Sequence, residues 1–206
     1  MPDAGATVAL DGPPAAFTIR WNGSTLANWN TATGNALAEI TNTELTLGNG
    51  ANVTMYSDLD SGPASYRLTD LVTISDGATL NLGAADPATA DSIHLITDDR
   101  FKVGTSGVGT INIADGSSVT GSSFVLIGEL GGSNGTAKVS GPGSMWVTSS
   151  SLEVGRLGTA SLTVEDGGTV SNTAGFIARQ GGGGTGARAR VGSAVVNFRL
   201  LAGSCG

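Results

Sequence analysis

His94 is the single histidine of the chain and Cys205 the single cysteine. One thiol excludes an intramolecular disulfide framework and any cysteine-based zinc site. His94 lies in the alternating segment Ser92-Ile93-His94-Leu95-Ile96, beside Asp91 and Asp98, and reads as a surface or edge histidine rather than a general base. Asp98 and Asp99 are adjacent, so in a strand they point to opposite faces and cannot form a catalytic carboxylate pair. In a turn they could meet, but with Arg100 and Lys102 they read as a solvated charged corner. Asp58-Leu59-Asp60 offers two carboxylates, whereas a calcium site takes about six to eight oxygen ligands, and no Asp-x-Asp-x-Asp-Gly run follows. Gly181-Gly182-Gly183-Gly184 lacks the Lys-Ser/Thr of a phosphate loop and reads as a flexible corner. These residues assign no catalytic group, no cofactor and no metal site. Trp21, Trp29 and Trp146 are candidates for stacking on sugars or partner surfaces if exposed. Trp21 and Trp29 are better explained as a cap over the open end of a stack.

Composition narrows the classes further. Of 206 residues, 33 are glycine, only 13% are charged, and the formal net charge is −7. Such a chain has no basic field to hold a phosphate backbone, which argues against a nucleic-acid partner. Asp3 and Asp11 precede the first basic residue, Arg20, so the start does not read as a secretory signal. No apolar run approaches the roughly 18 residues of a membrane span.

The elements that would position any site follow from internal repetition. A nine-residue phrase, alternating apolar residues then Asp/Asn-Gly and a further apolar residue, occurs as Leu45 to Val53, Val72 to Leu80, Ile111 to Val119 and Leu162 to Val170. Ala137-Lys138-Val139-Ser140-Gly141 is a degenerate copy. A second phrase, apolar-Gly-x-x-Gly, begins at Val103, Ile127 and Val154, and Ile177-Ala178-Arg179-Gln180-Gly181 keeps its frame with one glycine lost; the four are spaced by 24, 27 and 23 residues. Alternation over three to five residues with β-branched apolar positions is the pattern of a half-buried strand. Asn-Gly and Asp-Gly supply residues that tolerate positive φ. The acids Asp76, Asp115 and Asp166 therefore have a backbone task rather than a catalytic one.

Short strands and tight turns suit a β-sandwich or a parallel β-solenoid. A sandwich does not require the same phrases in the same order at near-constant spacing; a stack of coils does. The expected fold is all-β: a single-stranded parallel β-helix of about six coils over residues 38–186. Equivalent strands would lie about 4.8 Å apart. Leu45, Leu47, Val53, Val72, Ile74, Leu80, Val103, Ile111, Ile113, Val119, Ile127, Val139, Val154, Leu162, Val164, Val170 and Ile177 are its expected core. Asp86-Pro87-Ala88-Thr89-Ala90-Asp91 reads as a loop protruding from a corner.

Val154-Gly155-x-x-Gly158, Leu162-Thr163-Val164-x-x-Gly167-Gly168-x-Val170 and Gly141-Pro142-Gly143-Ser144-Met145-Trp146 together resemble the repeats of Gram-negative autotransporter passengers. These include the variety shared by type V secretion and PEP-CTERM proteins. The resemblance covers residues 101–186 well and extends more weakly back to about 40; Trp21-Asn22-Gly23-Ser24-Thr25-Leu26-Ala27-Asn28-Trp29 resembles the Trp-containing lead-in to such repeats. It implies a right-handed β-helix, a place at the cell surface or outside the cell, and an outer-membrane β-barrel elsewhere in the full-length protein. The chain then looks like an internal fragment of a passenger, a structural and adhesive stalk whose partners are host surfaces, glycans or further copies of itself. The alternative is a β-helical carbohydrate-active enzyme, with the irregular region from Tyr56 to Arg100 as its candidate site.

Three segments follow: a lead-in or cap over 1–37, solenoid repeats over 38–186, and a tail over 187–206. The tail carries Arg188, Arg190 and Arg199 and no acid. A repeat-type Trp is expected near 196, where the chain has Val195-Val196-Asn197-Phe198. GC-rich codons for those residues read one nucleotide later give Trp-Ser-Thr, so the tail is expected to be off-frame or disordered.

Overall fold

The computed structural model describes residues 7–10, 19–22, 26–31, 39–42, 44–57, 64–68, 70–83, 92–178, 188–191 and 195–197. Asp58 and Asp60, the loop 86–91, Gly181 to Gly184 and Cys205 fall outside the described residues, as do the side chains of Trp21 and Trp29.

Strands from alternating segments pair only with segments one repeat away, and every pairing is parallel. Sheet A is built from Thr7–Leu10, Leu26–Thr31, Asn52–Ser57, Ala78–Leu82, Val108–Ile113, Asn134–Ser140, Thr159–Glu165 and Arg188–Val191. Sheet B takes Ile19–Asn22, Leu45–Gly48, Val72–Ile74, Phe101–Val103, Val125–Ile127, Ser151–Val154 and Ala174–Ile177. Sheet C takes Glu39–Asn42, Ala64–Leu68, Ile93–Thr97, Ser118–Gly121, Met145–Thr148, Thr169–Ser171 and Val195–Asn197. From Ile19 onward the chain visits B, then A, then C, and returns to B one rung along. This is a three-sided parallel β-solenoid. Five complete coils lie between Leu45 and Ser171, so the count over 38–186 differs slightly from the six expected.

The register explains the spacing of the sequence phrases. Val103, Ile127, Val154 and Ile177 are consecutive Cα partners in sheet B. Ile113, Val139 and Val164 form one column in sheet A. Like residues thus stack on like, and the expected core is buried except for Ile177, which packs against it only partly buried. Each fully buried side chain contributes roughly 1.5–3 kcal/mol, against the conformational entropy of ordering the chain. Trp146 departs from expectation. It is 1% exposed, in the sheet C column of Val119 and Val170, and meets Phe101 of sheet B edge-on with ring centroids 5.3 Å apart. It fills the inside of a coil, where no ligand can stack on it. Its expected role as an exposed aromatic is corrected accordingly.

The nine-residue phrase turns out to occupy two different places. Its first two copies make the B-to-A corner, with Asn49-Gly50 and Asp76-Gly77 at positive φ. The copies at Asp115-Gly116 and Asp166-Gly167 make the A-to-C corner. The apolar-Gly-x-x-Gly phrase replaces it at the B-to-A corner in later coils, with Gly104, Gly128 and Gly155 at φ 68, 70 and 72°. Both are solutions to one problem, a sharp turn through positive φ, so they are interchangeable from coil to coil. The backbone ladder runs on through the corner: Gly104, Gly128 and Gly155 donate to the carbonyls of Ile74, Val103 and Ile127.

The described strands of the lead-in pair with the stack, Trp21 standing in register with Leu47 and Trp29 with Met55. In the tail, Arg188–Val191 lies beside Thr159–Glu165, and Val196 is in register with Val170. Val196 therefore sits two rungs along from Trp146 in one column, with Val170 on the rung between them.

Candidate functional site

Outward positions on a sheet face normally see solvent, because only the other face meets the core. On sheet B they do not all do so. Lys102, Leu126 and Glu153 are successive partners in one outward column. Leu126 is 4% and Glu153 3% exposed. What covers them are the corners at either end of the strands, which rise into a cleft of about 570 Å³. Asp99, Arg100, Ser123 and Phe124 line it from the C-to-B corner, Glu129 and Arg156 from the B-to-A corner, and Leu126 and Glu153 from the strands.

The charges in and beside the cleft are matched. The Lys102 ammonium lies 3.0 and 2.8 Å from the two carboxylate oxygens of Glu129, with both side chains largely buried. Arg156 Nε stands 3.7 Å from Glu153 Oε2, and Arg100 Nε 3.6 Å from Asp99 Oδ1. Three carboxylates thus face three cations. Burying Glu153 so completely costs several kcal/mol unless an opposite charge is close, which is what Arg156 supplies. Phe124, by contrast, is 47% exposed at the rim.

The structure redistributes the charged corner read from the sequence. Asp98 takes a bidentate pair from Arg67, with Nε to Oδ2 at 3.0 Å and Nη2 to Oδ1 at 2.9 Å. Only Asp99 and Arg100 remain together as a solvated pair. Lys102 is not part of it, because strand alternation turns it onto the sheet B face toward Glu129 one rung away. Of its described residues, the acidic stretch ending at Arg100 therefore contributes Asp99 and Arg100 to the cleft.

His94 lies on an outward position of sheet C in register with Ser118, and its Nδ1 is hydrogen-bonded to the Ser118 hydroxyl. Nothing in the linear order of residues points to this pairing, which only the stacking of coils creates. Ser118 is 2% exposed, so a substrate carbonyl has no approach to its oxygen, and the pair is a structural tie between rungs. Asp76, Asp115 and Asp166 sit at φ 52, 52 and 51°, consistent with the backbone task their Asp-Gly context predicts. Among the described residues no cluster of three or more His, Cys, Asp or Glu side chains could hold a metal ion. No helix long and apolar enough to cross a membrane occurs among the described residues.

The cleft residues occupy equivalent slots of the repeat. Lys102, Leu126 and Glu153 precede the apolar-Gly step, and Glu129 and Arg156 follow it. Aligning the copies slot by slot, instead of tracking only their apolar and glycine positions, would have brought out this charged column. Comparison with protein-family models, with curated proteins and with solved structures gave no match.

Proposed function

We propose that the chain is a length of autotransporter passenger from a Gram-negative bacterium, displayed at the cell surface or released outside it. It works there as a structural and adhesive stalk without catalytic activity. The observation that carries this reading is that repeat and coil coincide. Val154-Gly155 to Gly158 forms a B-to-A corner, Leu162-Thr163-Val164 a sheet A strand, Asp166-Gly167-Gly168 an A-to-C corner and Val170 a sheet C strand. The repeat resembling those of passengers is thus one turn of the solenoid. Outward positions of sheet A are mostly polar, Val108 apart: Asn112 donates to Asn81 at 2.8 Å and Asn81 to Asn52 at 2.9 Å, a ladder along the stack. A polar-faced stack extends by adding coils and needs no active site. Host surfaces, glycans and further copies of the chain are the partners this reading offers, with the outer-membrane barrel elsewhere in the full-length protein. The test is the DNA on either side of the coding segment. A signal peptide upstream and a β-barrel downstream in the same frame are expected; a complete gene with neither overturns the reading.

One observation favours a β-helical carbohydrate-active enzyme instead: Glu129, Glu153 and two arginines share a cleft on a coil face. Incubation with a polysaccharide panel separates the two. Product release that disappears in Glu153→Gln would replace the stalk by the enzyme.

A further inference from the structure

We infer that the sheet B cleft is a binding site for a neutral sugar ring. The inference rests on the adhesive part of the reading above and gives it a ligand class. The cleft holds about 570 Å³, within the range of pockets that enclose small ligands. Its polar groups come as charge pairs. Glu153 is 3% exposed, with Arg156 Nε at 3.7 Å from its Oε2, longer than a direct hydrogen bond. Glu129 is held by Lys102 at 2.8 Å.

This pairing selects against charged ligands. An anion would draw Arg156 or Lys102 away from its carboxylate, and a cation would draw the carboxylates from their partners. Either leaves a buried charge uncompensated, at a cost of several kcal/mol. A hydroxyl group carries no such penalty. A carboxylate only accepts hydrogen bonds and a guanidinium only donates, whereas a hydroxyl does both. Adjacent hydroxyls on a ring can therefore donate to Asp99 and accept from Arg100 and Arg156, the groups that reach the mouth of the cleft, while leaving every charge matched. The other face of a pyranose is a patch of C–H groups, which suits the negative π-face of Phe124. Phe124 is 47% exposed, so it is free to meet a ligand at the rim.

The test uses the full chain in saturation-transfer NMR and calorimetry against cellobiose, maltose and lactose. A digalacturonate, a sulfated disaccharide and short acidic and basic peptides serve as charged competitors. Binding of at least one neutral disaccharide at millimolar concentration is expected, with the charged probes weaker by about tenfold. Phe124→Ala should weaken neutral-sugar binding about tenfold with only a small fall in the unfolding midpoint, since its ring is half in solvent. Asp99→Asn should also weaken it, and the Phe124 variant keeps the test decisive if the Asn variant does not fold. Three outcomes overturn the inference: no neutral sugar bound by the folded chain, a charged probe preferred, or binding indifferent to Phe124. Such a failure leaves the stalk reading standing, because that reading is decided by the flanking DNA; a gene without signal and barrel would leave sugar binding standing.

Discussion

The three corners of each coil are held by different chemistry. At the B-to-A and A-to-C corners the backbone passes through positive φ, at glycine, Asn or Asp in most coils and at Ala178 after the last described sheet B strand. At the C-to-B corner none of the described residues does so. Hydroxyls do the work there instead: Ser122 donates to the Asp98 carbonyl at 2.7 Å, Ser149 to that of Ser122 at 3.1 Å, and Thr173 to that of Ser149 at 2.7 Å. Two corners are therefore fixed by which backbone angles are allowed, and the third by a side-chain ladder that satisfies carbonyls from rung to rung. The first kind fails sharply where a Cβ would strike the backbone of the next rung, as at Gly104 and Gly128. The second should degrade gradually, because each exposed hydroxyl bond contributes little alone.

The largest effect tests the core that both kinds of corner share. Val164 is 1% exposed, and Val164→Asp places a carboxylate among apolar side chains at a cost of several kcal/mol. Loss of the cooperative urea transition is expected; a folded variant with wild-type circular dichroism would mean that the columns do not hold the coils. Next comes the glycine corner. Gly104 turns at φ 68°, and a Cβ on it would stand 2.6 Å from Asn134 O and 2.7 Å from Gly135 N, backbone atoms that cannot move aside separately. Gly104→Ala should cost about 1–3 kcal/mol in denaturant midpoints, and an unchanged midpoint would erase the distinction between corners. Ser122→Ala is expected to cost less, about 0.5–1.5 kcal/mol and toward the lower figure because the bond is exposed. A loss equal to that of Gly104→Ala would make the hydroxyl ladder as strict as glycine.

The smallest effect lies away from the corners, on the sheet A face. Lys138 Nζ meets Glu165 Oε1 at 2.6 Å, and the hydrogen bond and charge of Glu165 raise the lysine above its ordinary value of 10.5. A lysine raised in the folded state contributes fully below its unfolded value and loses that contribution as pH climbs through the folded one. The pair is therefore fully formed at neutral pH, and its loss begins only above about pH 10.5. Both side chains are more than a third exposed, so a double-mutant cycle at pH 7 should give no more than about 1 kcal/mol. A flat cycle between pH 7 and 11 would remove even this contribution.

The corners also show why the sequence discloses some parts of the molecule and hides others. Positive φ narrows the choice to glycine, Asn or Asp, so Asp115-Gly116 and Val154-Gly155 are visible as repeated phrases. Ser122, Ser149 and Thr173 are ordinary residues in a chain rich in Ser and Thr, and their ladder leaves no such mark. The same turn chemistry at two corners put Asp76-Gly77 and Asp115-Gly116 into one phrase, although they sit at different corners. Inward columns such as Ile113, Val139 and Val164 are legible because stacking demands an apolar residue at each rung. Trp146 was hidden by its type: a large amphipathic ring reads equally as a surface anchor and as filling for a coil wide enough to take it. The cleft was hidden for another reason. Lys102, Glu129, Glu153 and Arg156 are ordinary charged residues one by one, and only the rung-to-rung register makes them neighbours.

Rung-to-rung partners are separated by 21 to 31 residues wherever they are described. The entropic cost of closing a loop grows only with the logarithm of its length, so each added coil meets nearly the same closure cost as the one before. A chain built this way can lengthen by duplication without its assembly slowing in proportion, and whichever rung forms first serves as a template for its neighbour.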